Sequence, residues 1–135
     1  MKWEKQFDGK TKADLRDRNL TDEDGLAIGE FLKTNNTLKI LVISNNNITD
    51  VQSIGEGLKS NNTLMKLSLY NNNITDDSGI QSIIDVLKTN NTLRRLGLQY
   101  NQLSDNMKSQ LNAIRQYKWF GSNGYQQVKA MMIFA

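Results

Sequence analysis

The apolar positions of the chain recur in three nearly identical blocks. These blocks read "KTNNTLKILVISNNNITD" from residue 33, "KSNNTLMKLSLYNNNITD" from residue 59 and "KTNNTLRRLGLQYNQLSD" from residue 88. Aligned on their first leucine, all three follow the pattern L-x-x-L-x-[L/I]-x-x-N-x-[L/I]. Its second and third apolar positions, such as Leu41 and Ile43, are two residues apart, which is the period of a strand with one buried face. The pattern therefore predicts one short strand in each block.

The segment after each strand has apolar residues at helical spacing. Its apolar columns contain Ile28, Ile54 and Ile83, then Leu32, Leu58 and Leu87. The threonines that precede these segments are predicted helix N-caps because their hydroxyls can accept from free N–H groups; they are Thr21, Thr49 and Thr75. An Asn-Asn pair is predicted to end each helix in the left-handed conformation. Gly55 and Gly57 predict a short or 3₁₀-like helix in the middle repeat.

The repeat period predicts the overall architecture. A degraded first copy has Ala13, Leu15 and Leu20 in its apolar positions and Arg18 in place of the asparagine, and successive copies are 28, 26 and 29 residues apart. A fixed period of this length is typical of a solenoid. Parallel strands stack about 4.8 Å apart, whereas helix axes need about 8–10 Å, so the stack bends. We therefore expect an α/β solenoid with parallel strands on the concave face and helices on the convex face.

These motifs resemble those of a known family, the leucine-rich repeats. The length of the repeat, which includes a helix, is similar to that of the ribonuclease-inhibitor-like class. The sequence "LKTNNTLKIL" resembles repeats of tropomodulin and leiomodin. NOD-like receptors and the Ran GTPase-activating protein have similar repeats. The resemblance covers residues 13 to about 117. It implies that the concave strand face binds another protein, and the tropomodulin-like wording implies actin or another cytoskeletal protein.

The repeat boundaries predict one domain and a tail. Residues 1–120 are the expected leucine-rich-repeat domain, with a capping repeat at 1–36 and repeats at 37–62, 63–91 and 92–120. Trp3 and Phe7 are expected to cover its first end. Residues 121–135 form a divergent C-terminal tail, in which "VKAMMIFA" predicts a strand with two apolar faces. Such a strand either caps the last repeat or pairs with another chain, in which case the protein forms a homo-oligomer.

The composition argues against an enzyme. The chain has neither Cys nor His, which excludes thiolate chemistry and removes the commonest general base. It also has no glycine-rich phosphate loop, metal-ligand cluster or suitably spaced carboxylate pair. We therefore expect no catalytic residues, no metal, no cofactor and no small-molecule substrate. Because neither a signal peptide nor a long apolar run is visible, we expect a cytoplasmic protein.

The charge is unevenly distributed along the chain. Residues 1–92 contain 11 basic and 13 acidic side chains, while residues 93–135 contain 6 basic side chains and one acidic side chain. A basic segment can bind nucleic acid or an acidic membrane, but a solvated terminal helix explains it more simply, so we expect neither partner. Arg95 resembles an arginine finger for a GTPase, but a lone arginine on a strand is more often part of a binding surface. Four repeats are only a fragment of such a regulator.

The candidate residues fall into two groups. The repeated asparagines are expected to form a structural ladder: Asn46, Asn72 and Asn101. Strand residues that point away from the core are free to recognise a partner, and the binding candidates are Ile40, Val42, Lys66, Tyr70, Arg95, Gln99 and Tyr100. The aliphatic pair would form a dry centre, the tyrosines anchors, and the cations partners for acidic groups.

The main hypothesis is thus a non-enzymatic module that binds a partly acidic protein through its concave face. The alternatives are a self-assembling scaffold that uses the C-terminal edge and tail, a cytoskeletal (actin-related) regulator and a small-GTPase regulator. A solvated face without any partner is the simplest alternative.

Overall fold

A computed structural model describes residues 2–120 and 132–134 of the chain. Strands and helices alternate along it. The strands are β1 (Lys12–Asp14), β2 (Ile40–Val42), β3 (Lys66–Ser68), β4 (Arg95–Gly97) and β5 (Met132–Phe134). The helices are α1 (Lys2–Phe7), α2 (Asp22–Thr34), α3 (Gln52–Ser60), α4 (Ile80–Thr89) and α5 (Asp105–Phe120).

All five strands form one parallel sheet in chain order, β1-β2-β3-β4-β5. Its central row places Ala13, Leu41, Leu67, Leu96 and Ile133 side by side, and all five are buried. The α/β solenoid expected from the repeat is therefore confirmed. The core lies between this row and the helices, and it consists almost entirely of the leucines and isoleucines of the repeat pattern.

Both ends of the stack are covered by chain segments outside the regular repeats. At the N-terminal end Phe7 of α1 is buried in the core, whereas the Trp3 side chain lies outside the described residues. At the C-terminal end β5 pairs with β4, and Ile133 is buried. Of the two alternatives for the tail, pairing with the last strand of its own chain is the one observed.

The predicted helix starts are correct at one of the three threonines. Thr21 precedes α2, and its N–H donates to the Asp24 carboxylate at 2.9 Å. The predictions for Thr49 and Thr75 are wrong, because α3 begins at Gln52 and α4 begins at Ile80. Each has a different partner, as Thr49 donates to Asp22 of the preceding repeat and Thr75 bonds to the Ser78 hydroxyl.

The helix ends also differ from the prediction. The residues that end α2, α3 and α4 are extended, with φ of −72° at Asn35, −90° at Asn61 and −76° at Asn90. Asparagine occupies these positions because of its side-chain hydrogen bonds and not because it tolerates a left-handed backbone.

The middle helix is short but not 3₁₀. α3 is an α-helix of 9 residues, against 13 in α2 and 10 in α4. Its glycines allow close helix packing: a Cβ at Gly55 would lie 2.6 Å from Cβ of Ser82, and a Cβ at Gly57 would overlap the Gly29 carbonyl. A Cβ at Gly29 would in turn overlap Ser53. The glycines are therefore contact points between neighbouring helices.

Candidate functional site

The repeated asparagines link each strand turn to the repeat before it. Nδ2 of Asn72 donates to the Ile43 carbonyl at 3.1 Å, and Oδ1 accepts from the Ile48 N–H at 3.1 Å. Asn46 and Asn101 repeat this arrangement, with Oδ1 accepting from Leu20 at 2.9 Å and from Ile74 at 2.9 Å. Backbone groups inside a solenoid need such partners because water cannot reach them. These three residues therefore connect neighbouring repeats through hydrogen bonds to the backbone.

A second ladder of asparagines runs along the helix ends, and the sequence interpretation missed it. Nδ2 of Asn61 donates to the Leu32 carbonyl at 2.9 Å, and its Oδ1 accepts from the Leu64 N–H at 2.9 Å. Asn90 makes the equivalent bonds one repeat later, to the Leu58 carbonyl and from the Leu93 N–H. The signal was present in the sequence as the first asparagine of each "NNTL".

The residue before each ladder asparagine, and before Arg18 at the equivalent position of the first copy, has a left-handed backbone. Its φ is 57° at Asp17, 58° at Asn45, 54° at Asn71 and 60° at Tyr100. Asn and Asp are enriched in this region, whereas a bulky residue is a genuine outlier. Tyr100 therefore occupies a corner at which the other repeats have a residue better suited to the backbone.

The binding candidates all lie on the strand side of the molecule. Ile40 and Val42 are half-buried on β2, and Lys66 is half-buried on β3. Arg95 is exposed on β4, while Gln99 is half-buried beyond its end. The expected apolar centre is therefore only partly open to solvent. Tyr70 and Tyr100 present more surface, with 38% and 70% of their area exposed.

Four of these candidates line a single open groove above β3, β4 and β5, which we call the β3–β5 groove. Its lining includes Lys66, Tyr70, Arg95 and Gln99, and its volume is about 240 Å³. Ser68, Gly97 and Phe134 complete its walls and floor. Phe134 was not among the candidates, because the alternating apolar residues of the tail do not reveal which of them faces the concave side.

The remaining candidates lie beside this groove. Val42 lines a second concavity of about 330 Å³ over β1 to β3, which shares Lys66, Ser68 and Tyr70 with the first. Tyr100 packs its ring against that of Tyr70. Ile40 is the register neighbour of Lys66 but lines neither concavity. The structure thus gathers most of the candidates around β3 and β4.

Charges differ between the two ends of the concave face. Over β1, Arg16 and Asp14 form an ion pair of 2.8 Å, and the hydrogen bond from Arg16 holds the pKa of Asp14 below its usual value. Over β3 and β4, Lys66 and Arg95 are register partners on adjacent strands. Neither forms an ion pair with any of the described residues. Among the described residues, the β3–β5 groove therefore combines two cations that have no ion-pair partner.

The described part of the chain contains no group of three or more acidic side chains that could hold a metal ion. None of its helices is both long and apolar enough to cross a membrane.

Comparison with known proteins agrees with the geometry. A family model for the leucine-rich repeat matches residues 34–51, 60–81 and 89–106. Among solved structures, a domain described as "Leiomodin-1 Actin-Binding Site 2 (ABS2)" has the same fold, with a TM-score of 0.75 and 23% sequence identity over 99% of this chain and 75% of that one. No curated protein matches the chain by sequence. The matched segments, the single parallel sheet and this shared fold show that the chain contains leucine-rich repeats and has a leucine-rich-repeat fold.

Proposed function

We propose that the protein is a non-enzymatic module that binds another protein through its concave strand face. The observation that carries this proposal is the β3–β5 groove, which is lined by Tyr70 and by two cations that have no ion-pair partner among the described residues. Tyr100 packs against Tyr70 beside this groove, and both rings are partly exposed. Aromatic and arginine side chains dominate the energetics of protein interfaces because they bury large areas and form directional bonds. The asparagine ladders hold the strands beneath them, so the binding residues are carried on a rigid sheet.

Each candidate has a distinct role in this proposal. Tyr70 and Tyr100 are the anchors, because their rings pack against each other and still offer surface to a partner. Lys66 and Arg95 pair with acidic groups of the partner. Ile40 and Val42 contribute a smaller apolar area beside them, and Gln99 offers an amide at the edge of the groove.

The size of the face limits the affinity of this surface alone. The sheet has five strands. At about 4.8 Å between strands and about 3.3 Å of rise per residue over some five residues, its face covers roughly 400 Å². A standard interface takes about 800 Å² from each partner. We therefore expect modest affinity unless neighbouring loops or the C-terminal tail enlarge the contact.

Actin is the first partner to test. The leiomodin domain that shares this fold is described as an actin-binding site, and the wording of the repeats is similar to that of tropomodulin and leiomodin. Fluorescently labelled monomeric actin would be titrated with the protein and with variants of Tyr70 and Arg95. If actin does not bind, a partner recovered by affinity capture would replace it in the same titration, and only dependence on these residues would support the proposal.

A further inference from the structure

Three residues or residue pairs in or beside the β3–β5 groove depart from what the scaffold itself favours. The first is Tyr100, whose φ of 60° would suit Asn, Asp or Gly better than a bulky aromatic side chain. The corresponding residues of the earlier repeats, Asp17, Asn45 and Asn71, are of the suited types. The backbone conformation therefore does not favour tyrosine at this position.

The second departure is the pairing of two like charges. Lys66 and Arg95 are register partners on adjacent strands, and their side chains line the same groove. Like charges directly opposite each other in a sheet repel. Within the described part of the chain no carboxylate forms an ion pair with either of them.

The third departure is Gly97 in the middle of the floor. Its φ is not positive, and a Cβ built there would meet only Oγ of Ser68 at 3.5 Å and Oε1 of Gln99 at 3.6 Å as its nearest contacts. These are ordinary contact distances, so the backbone does not require glycine here. Glycine inside a strand often marks a site of close approach by a ligand or another backbone. Its missing side chain leaves a trough between the flanking residues Ser68 and Phe134.

We infer that the β3–β5 groove binds a short acidic segment of the partner protein in extended conformation. A carboxylate of this segment lies beside Lys66 and Arg95, its backbone crosses Gly97, and an apolar side chain packs on Tyr70 and Tyr100. This inference rests on the proposed function and adds the chemistry and conformation of the recognised segment. It also explains why two of the departures lie in the groove and the third, Tyr100, packs against Tyr70 at its edge.

The width of the groove favours an extended segment over a helix. The strands that flank Gly97 are two spacings apart, or about 10 Å between their backbones. A helix with its side chains is about 10–12 Å wide, so it cannot descend between the side chains of Ser68 and Phe134. An extended chain can, because it is about one strand wide.

The length of the groove sets the spacing of the recognised residues. From Arg95 to Gln99 the strand direction covers four residues, or about 13 Å. The acidic and apolar residues of an extended partner segment should therefore be four positions apart.

The charge of the face favours a peptide over a nucleic acid. Tight binding of nucleic acid depends on neutralising several phosphates, because counterion release supplies much of its affinity. The groove offers two cations, and Asp14 lines the neighbouring concavity over β1 to β3. The carboxylate of an acidic peptide matches this arrangement better than a phosphate backbone does.

Two libraries of six-residue peptides test this inference on the full-length protein. In the first, position 1 is Asp or Glu and position 5 is Phe, Tyr or Leu, and in the second those positions are Asn or Gln and Ser. Binding is followed by chemical-shift changes of the backbone amides. We expect the first library to bind at least ten-fold more tightly and to shift amides of β3 and β4. Equal binding of the two libraries, or shifts confined to the helices, would overturn the inference.

The matched variants are Gly97→Val, which fills the trough, and the double change Lys66→Gln with Arg95→Gln. Both should weaken binding of the first library at least ten-fold, whereas the convex-face change Glu30→Gln should leave it unaltered. Thermal melting of each variant checks that the fold is retained. If Gly97→Val unfolds, the inference is tested by the double variant Lys66→Gln with Arg95→Gln alone. Unchanged binding in a folded variant of either kind contradicts the inference.

The outcomes also separate this inference from the proposed function. If a protein partner depends on Tyr70 and Arg95 but neither peptide library binds, the groove recognises a folded surface and only the inference fails. If no partner depends on the strand face, the proposed function itself fails. If a single-stranded oligonucleotide binds more tightly than the first library, the groove binds a nucleic acid and the inference of a peptide ligand is wrong.

Discussion

The rings of Tyr70 and Tyr100 pack edge to face, with their centroids 5.0 Å apart and an angle of 67° between their planes. This contact joins the third and fourth strands on the concave side, where both rings remain partly exposed. It also explains how a tyrosine is held at a left-handed corner, since edge-to-face packing offsets part of the backbone cost.

Replacing Tyr100 with Asn should therefore stabilise the fold while weakening partner binding. A left-handed backbone costs a typical residue about 1–2 kcal/mol, which Asn largely avoids. After subtracting the lost ring contact, about 0.5–1.5 kcal/mol, we expect a gain of about 0.5 kcal/mol in unfolding free energy. Urea titration measures it. Tyr100→Phe is the matched control because it keeps the ring and the backbone cost, and an Asn variant less stable than this control would contradict the assignment.

Replacing Asn72 with Ala should destabilise the fold by about 1–3 kcal/mol, because buried backbone groups lose their partners. Asn71 is an unsuitable control, since its left-handed backbone and its bond of 2.9 Å to Asn45 would also be disturbed. Asn73→Ala is better matched, because the Asn73 side chain is exposed. Equal urea midpoints for the variants of Asn72 and Asn73 would refute the structural ladder.

Replacing Gly29 with Ala should destabilise the fold, because α2 and α3 pack too closely there to accommodate a methyl group. A Cβ there overlaps Ser53, and overpacking of this kind costs about 1–3 kcal/mol. Gly25→Ala in the same helix is the control, because its Cβ would lie 3.4 Å from the Asp50 carbonyl oxygen. Both changes gain the same helix propensity, so thermal melting isolates the overlap. Similar melting temperatures would show that the two helices are not closely packed at Gly29.

Asp22 should make stability depend on acid pH. Partial burial raises the pKa of this carboxyl, but hydrogen bonds from Thr49 and Asp50 outweigh it, so the pKa in the folded state lies below its usual value. A lowered pKa stabilises the fold above the unfolded-state pKa of about 3.9, and this contribution is lost as the pH falls through the folded-state pKa.

Asp22→Asn should therefore reduce the unfolding free energy at pH 7 and reduce it less at acid pH. Urea titrations at both pH values measure the difference, with the exposed Asp85→Asn as control. If the variant and the wild type lose the same stability between the two pH values, Asp22 does not contribute to the acid dependence.

The sequence predicts most of the fold because each copy of the repeat determines the position and the buried face of its own strand. The two-residue spacing of Leu41 and Ile43 is enough to assign the buried face, and register follows from aligning the copies. Helix starts were harder to predict. Thr49 is of a residue type that commonly caps helices, but its N–H and its hydroxyl donate to Asp22 of the neighbouring repeat. The sequence of one repeat does not indicate a partner that lies in another repeat.

The candidate site was predicted only in part, for a related reason. Outward positions of the regular strands, such as Lys66 and Arg95, follow from the repeat register. Phe134 does not, because the tail has no repeat motif and its pairing with Gly97 depends on how the chain returns to the sheet. The left-handed backbone of Tyr100 was equally hidden, since tyrosine is not a residue from which such a conformation is expected.

Binding through the concave strand face is tested most directly by titrating one protein partner against variants on both faces of the solenoid. Actin is the first candidate, and a captured partner is the second. Tyr70→Ala and Arg95→Ala should each weaken binding by about 2 kcal/mol, or roughly 30-fold, without unfolding the protein. Glu30→Ala and Asp85→Ala on the helices should leave the affinity unchanged. If instead the helix variants weaken binding and the strand variants do not, the partner binds the convex face and the central claim is wrong.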